Sequence, residues 1–570
     1  MDSAQQNRIK IIGALVCLAA LVIAARLYYV QVIEHDAYAA TAERQYAGQD
    51  LSLFDRGTIY FSPQNGAPIP AATLASGYAI AIQPKSIIHP EDIINALSGL
   101  LPISEDALQT AVASGSPYSV VAHHVDEATA ERVTKLDIAG LGDYKEQWRY
   151  YPAGQLASNV VGFVGYGSDG VTLSGQYGLE KYYNDVLSRS DSGGTSNVFA
   201  QIFSDLSDSA LSGGGDQGDI ITTIEPTVQE QLEQELATVM STYQSTLAGG
   251  IIMDPTNGDI YAMGVNPTFD PNNYSKQKDV SVFSDPLVSG VYEMGSIVKP
   301  LVMAAALDTG IITPDTTYDD TGTVVVDGSK ISNYDFRARG VVNMQQVLDQ
   351  SLNVGMTFVA KTIGSDNVSK YIRAYGLGDQ TGIDLPDEVS GQIGNLNSPR
   401  LLEHATAAFG QGIAMSPIET IRALSALANG GYLPHPHVVK EIDYDSGQVK
   451  DISYGPGPQV IKPSTSQTIT NMLIGVVDTA LLNGTVKLSH YTIASKTGTA
   501  QIADPVHGGY YSDRYLHSFF GYFPAYKPRF IIFLYTVWPK GVEFASHTLT
   551  MPFIDLTKFL INYYNIPPDR

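Results

Sequence analysis

Ser296 and Lys299 stand three residues apart in YEMGSIVKPLVMAAALDTG, ahead of an apolar, Ala-rich run that reads as a buried helix. Residues i and i+3 of a helix share a face, so the hydroxyl and the amine come within hydrogen-bond reach. A serine is a weak nucleophile until a base takes its proton. A lysine, ordinarily near a pKa of about 10.4, can be that base only where burial or a neighbouring cation favours its neutral form. Gly295 permits close backbone approach at the start of this segment. Pro300 has no N–H, so the Ser296 carbonyl loses its usual helical donor and an irregular first turn is predicted.

Two further fragments complement this pair. Ser351-Leu352-Asn353 opens another apolar helical run, QSLNVGMTFVAKTIG. Ser351 can relay a proton there, and the Asn353 amide can donate to a substrate carbonyl; in isolation the same triplet is also a helix-capping serine beside a turn asparagine. Lys496-Thr497-Gly498-Thr499 follows the strand-like YTIAS. Gly498 lets a ligand lie against the strand edge as an added strand. Lys496 supplies charge, and the Thr497 and Thr499 hydroxyls supply donors for a terminal carboxylate. The Thr499 and Ser296 N–H groups form a two-donor oxyanion hole of the kind acyl transfer requires. Alone, this fragment is equally an ordinary edge strand with threonine on its polar face.

The elements that must position these groups are legible in the patterning. Val228, Leu232, Leu236, Val239 and Met240 recur at helical spacing. Asn257-Gly258 between two short apolar runs predicts a hairpin. HSFFGYF (517–523) and RFIIFLYTVW (529–538) read as two strands, and Phe553, Leu556, Leu560 and Tyr563 as one face of a closing helix. An α+β domain with an antiparallel sheet flanked by helices follows. Upstream, 40–215 reads as an elongated mixed α/β region, with helices over Glu91–Leu97 and Asp126–Leu136, Asp126 serving as N-cap. His123 and His124 have no third ligand at metal spacing, so a solvated or capping role is expected and no metal is assigned. The Gly- and Ser-rich stretch 188–218 marks a domain boundary, giving 34–217 and 218–570.

With 570 residues the chain has room for about three or four domains of ~150 residues. A net charge of −24 makes nucleic acid a poor partner, and one cysteine, Cys17, excludes a disulfide framework and a Cys-based zinc site. Ile11–Ile33, broken only by Arg26, would span about 34 Å as a helix, enough for a ~30 Å hydrocarbon layer. Arg8 and Lys10 precede it while Glu34 and Asp36 follow, which puts residues 1–10 in the cytoplasm and the remainder outside. A signal peptide cleaved near Ala24-Ala25 is the alternative.

In this order, SxxK, SxN and KTG form the signature of the penicillin-recognising serine acyltransferases. Their wide spacing suits larger members better than compact β-lactamases. The chain resembles a class B penicillin-binding protein along nearly its whole length. FDRGTIY, WRYYPAGQLASNVVGFVG (148–165) and GLEKYYNDVL (178–187) are similar to that family's pedestal motifs. FGQGIAMSPIE (409–419) and HSFFGYFPAYKPRF are similar to its transpeptidase segments. Met294 stands where the family commonly has proline, a departure expected to loosen the start of the serine helix; 188–218 looks longer and more acidic than the usual link.

The resemblance implies a single-pass anchor in a bacterial cell membrane, an extracytoplasmic pedestal of the dimerisation type and a C-terminal transpeptidase domain. It implies a D,D-transpeptidase that cross-links peptidoglycan stem peptides in cell division or elongation, needs no cofactor and is a target of β-lactams. By carry-over Ser296 is the nucleophile, Lys299 its base and Ser351 the proton relay. Asn353 orients the donor peptide, and Lys496, Thr497, Gly498 and Thr499 receive its carboxylate. A SEDS-type membrane glycosyltransferase and other division or elongation proteins are the implied partners, and the lack of a large pedestal insertion favours septation. Two alternatives are a catalytically vestigial structural component and a β-lactam sensor or hydrolase.

Overall fold

A computed structural model describes residues 55–87, 89–114, 116–167, 173–189 and 217–570. The expected membrane helix over 11–33 and most of the 188–218 link lie outside them. Among the described residues no helix is long and apolar enough to cross a membrane. These residues fall into two compact units, 55–56 with 74–149, and the set 57–73, 150–189 and 217–570.

The larger unit is built on a five-stranded antiparallel sheet of β1 (Leu247–Met253), β2 (Ile260–Asn266), β3 (Ala494–Ala503), β4 (Tyr510–Phe523) and β5 (Phe530–Val537). Its order is β3-β4-β5-β1-β2, so β3 is an edge. The hairpin predicted at Asn257-Gly258 joins β1 to β2, with Gly258 at φ +88°. The unbroken apolar run of β5 follows from burial on both faces. Phe530, Ile532 and Leu534 pack with the helices Pro226–Tyr243 and Thr550–Tyr563, through Leu232, Leu236, Phe553 and Leu560. Ile531, Phe533 and Tyr535 face the second core, which surrounds the helix Lys299–Asp308. That helix is buried from Lys299 through Ala306, as an Ala-rich segment apolar on every side should be.

The unit boundary crosses the linear one expected at 217/218. Ile59 and Tyr60 pair in parallel with Ile220 and Ile221, tying 57–73 to the strand Gly218–Thr222. Asn159 donates to the Val282 and Ser284 carbonyls at 2.8 and 3.1 Å, and Phe163 stacks on Tyr274 and meets Phe269 and Phe283. These contacts between distant segments, invisible to composition, bind 150–189 to the transpeptidase core.

In the smaller unit, Ser119–Val125 pairs antiparallel with the C-terminal part of Ile69–Ile82, and Leu141–Tyr150 also pairs with that strand. Helices Pro90–Ser98, Glu105–Ala113 and Glu127–Thr134 accompany it over a core of Ile80, Ile82, Ile93, Leu97, Leu108 and Val133. Asp126 caps the last helix, accepting from the Thr129 N–H at 2.9 Å. His123 and His124 are exposed, the solvated alternative expected, and do not cap: His123 Nδ1 lies 2.9 Å from Glu146, and His124 stacks on Trp148 at 4.2 Å.

Candidate active site

The segment Gly295–Val298 is a 3₁₀ turn, and the α-helix begins only at Lys299. With no N–H on Pro300, the Ser296 carbonyl accepts instead from Lys299 N–H, which is the irregularity predicted. Two distant segments, 410–415 and β4, fix this turn. Gly295 N–H donates to the Gly410 carbonyl at 3.1 Å, Gly412 N–H to Glu293 at 3.1 Å, and Tyr292 exchanges backbone bonds with Met415 at 3.0 and 2.9 Å. The buried Ser518 hydroxyl on β4 donates to the Met294 carbonyl at 2.7 Å. Gly295 sits at φ +63°, and a Cβ there would stand 2.8 Å from the Thr499 carbonyl oxygen.

Lys299 is wholly buried and points its amine at the SxN turn. Nζ lies 2.6 Å from the Ser351 carbonyl oxygen, 3.1 Å from Ser351 Oγ and 2.8 Å from Asn353 Oδ1. Ser351 holds a left-handed backbone, φ +52°, between the helices Met344–Asp349 and Asn353–Ile363. For a residue with a Cβ this costs about 1–2 kcal/mol. The Asn353 amide is oriented by its partners, with Nδ2 donating to the Ser332 carbonyl at 3.1 Å while Oδ1 accepts from Lys299. Behind it, Asn333 accepts from Val354 N–H at 3.1 Å and donates to the buried Asp320 at 3.0 Å.

Burial first, and the charge of Lys496 second, hold the Lys299 amine well below the usual lysine value. Lys496, on edge strand β3, is also buried; burial pulls it down to about 8, while Asp349 acts in the opposite direction. Thr499 Oγ1 accepts from Ala545 N–H at 3.1 Å, which leaves its own proton to donate. Ser296, Ser351, Asn353, Lys496, Thr497 and Thr499 all line one cleft of about 740 Å³. Lys299 lies beneath its floor.

Residues 248–554 match the penicillin binding protein transpeptidase domain, and 55–201 match the penicillin-binding protein dimerisation domain. The chain belongs to the class B penicillin-binding proteins. It is a D,D-transpeptidase. Stage V sporulation protein D of Bacillus subtilis is 30% identical over 547 residues, covering 94% of this chain and 82% of that protein. The probable peptidoglycan D,D-transpeptidase PbpC of Pseudomonas aeruginosa is 26% identical, covering 100% and 98%. The structure of penicillin binding protein 3 from Mycobacterium tuberculosis complexed with aztreonam is similar at 25% identity and a TM-score of 0.65, covering 75% of this chain and 92% of that one.

In this penicillin-binding protein two expectations change. Met294 does not loosen the start of the serine helix: it is fully buried, and Ser518 clamps its carbonyl. Gly498 makes room for protein rather than ligand, because a Cβ there would stand 2.5 Å from the Met294 carbonyl oxygen and 2.3 Å from Ser518 Oγ. The glycine lets β3 lie against the turn that carries Ser296. Residue-type reasoning missed Ser518, Glu293 and the Asp320–Asn333 pair. Their one sequence signal is a polar residue inside an otherwise apolar or extended stretch. His517, which the patterning places only in a strand, bridges Thr548 at 2.9 Å and the Glu543 carbonyl at 3.0 Å through its ring, and burial lowers its pKa to about 4.

Proposed function

We propose that this transpeptidase cross-links peptidoglycan through an acyl-enzyme on Ser296. Ser296 Oγ attacks the penultimate D-Ala carbonyl of a stem pentapeptide while Lys299 Nζ takes the hydroxyl proton. The Ser296 N–H, one of the donors left free at a helix start, and the Thr499 N–H receive the developing oxyanion. The C–N bond then breaks, and the departing D-Ala amine takes a proton delivered through Ser351. An amine of a neighbouring stem attacks the ester, giving up a proton as the Ser296 hydroxyl regains one.

The observation that carries this reading is the set of contacts around Lys299. Two neighbours of its amine, the Ser351 carbonyl and Asn353 Oδ1, only accept, whereas the third is a hydroxyl. All three can accept from the amine, so the set fixes Nζ beside the Ser351 hydroxyl, while burial and then the Lys496 charge favour its neutral, basic form. Lys496, Thr497 and Thr499 would take the donor carboxylate, and the remaining Asn353 Nδ2 proton the donor peptide carbonyl. β-lactams acylate the same serine by the same route, consistent with the aztreonam complex of the mycobacterial relative.

Residues 11–33 anchor the chain in the cell membrane with 1–10 in the cytoplasm, and the pedestal occupies 34–217 ahead of the catalytic domain. A SEDS-type glycosyltransferase supplies the glycan, with septal wall the favoured product. Release of D-Ala from a stem pentapeptide in the presence of an acceptor amine tests the catalytic reading. Release by the wild type and none by S296A is expected; equal release by both would overturn it. Mid-cell localisation of a fluorescent fusion tests the septal assignment, which a side-wall pattern would contradict.

A further inference from the structure

Asp349 belongs to none of the three motifs, yet it lines the same cleft as Lys496. It is the last residue of the helix Met344–Asp349, two positions before Ser351. A carboxylate at a helix C-terminus faces the negative end of the dipole, so helix stability does not account for it. It is nevertheless held in place: Gln345 Nε2 donates to Asp349 Oδ1 at 2.7 Å and to the Met472 carbonyl at 3.0 Å.

The Lys496 ammonium has three donors, and its hydrogen bond among the described residues is to the Thr497 carbonyl at 3.2 Å. Buried with so little solvation, it tends towards the neutral amine, which could not attract a carboxylate. Asp349, lining the same cleft, opposes that tendency; its own pKa is raised by burial, against the Gln345 hydrogen bond and the Lys496 charge, which lower it. Below them the Lys496 charge helps to keep Lys299 neutral.

Other charged or titratable groups on elements packed against β3 have different commitments. Lys496 pairs with Phe520, so His517 and Tyr522 are the nearest such groups on that stretch of β4. Burial keeps His517 neutral, and the Tyr522 hydroxyl meets Thr470 at 2.8 Å. Asp478, on the turn Val476–Ala480, is engaged by Arg570 and Lys487. Glu543 and His547 are themselves exposed, on either side of the buried Ala545 that bonds Thr499.

We propose that Asp349 is a positioning residue for acyl transfer: its carboxylate holds Lys496 as the ammonium that receives the substrate carboxylate, and Lys496 thereby holds Lys299 as the amine. This rests on the acyl-enzyme reading above. Removing the negative charge favours neutral Lys496, so capture of a carboxylated substrate fails at a lower pH.

The test uses full-length protein and the second-order rate constant for acylation by benzylpenicillin from about pH 6 to about pH 10. In D349N the alkaline limb moves down by about one pH unit, D349E restores it, and the unfolding midpoint is unchanged. NMR of protein labelled at lysine ¹³Cε, with Lys496 assigned through K496R, reads the same charge without any turnover; its titration midpoint falls in D349N. An unmoved midpoint overturns the proposal, whatever the rates do. A midpoint that falls in D349N, with no adduct at Ser296 in the wild type, keeps the role of Asp349 in holding the Lys496 charge and removes the acyl-enzyme reading.

Discussion

Ser518 on β4 donates a 2.7 Å hydrogen bond to the carbonyl of Met294, two residues before Ser296. The two are buried and far apart in the chain, so the sheet itself sets where the serine turn begins. S518A leaves that carbonyl without its partner, at a cost of about 1–3 kcal/mol. It also frees the turn to shift, and a misplacement of about 1 Å slows reaction by about a hundredfold. Chemical denaturation and penicillin acylation rates on the same protein check both effects, with S518T recovering part of each.

Gly498→Ala is the complementary steric test. The new methyl meets the Met294 carbonyl and Ser518, so β3 and the serine turn must separate. Overpacking of this kind costs about 1–3 kcal/mol. Acylation should fall steeply while the protein stays folded. An unchanged acylation rate would show that the close approach of β3 has no bearing on Ser296.

Ser351 combines a hydroxyl with a left-handed backbone, and glycine separates the two. S351G keeps the backbone that aims the Ser351 carbonyl at Lys299 and removes the hydroxyl. S351A removes the hydroxyl and retains the strained φ. Both should acylate slowly, and thermal unfolding should find S351G at least as stable as S351A, whose Cβ keeps a cost of about 1–2 kcal/mol.

The two lysines have opposite requirements, which predicts a bell-shaped pH profile for acylation by a carboxylated β-lactam. Lys299 must be neutral, so the rate falls as pH drops through its lowered value. Lys496 must be charged, so the rate falls again as pH rises through about 8. A substrate whose carboxylate is esterified should lose most of the alkaline limb, which stopped-flow fluorescence can measure.

Much of this site was legible from local rules. Pro300 announced the irregular turn, Asn257-Gly258 the hairpin, and the three short motifs the groups that gather in one cleft. What escaped is what depends on approach between distant segments. Gly498 looked like space for a ligand because the segment that fills it, Met294, lies far away in the chain. The parallel pairing of Ile59 with Ile220 likewise leaves no mark on composition, so the boundary drawn at 217/218 follows the sequence rather than the contacts. Asp349 belongs to no motif and acquires significance only beside Lys496.

Peptide mapping by mass spectrometry after incubation with benzylpenicillin tests the central claim most directly. One covalent adduct is expected, on the peptide containing Ser296, formed by the wild type, absent in S296A and formed at least about a hundredfold more slowly in K299A. An adduct on another residue, or one that persists in S296A, would contradict the account.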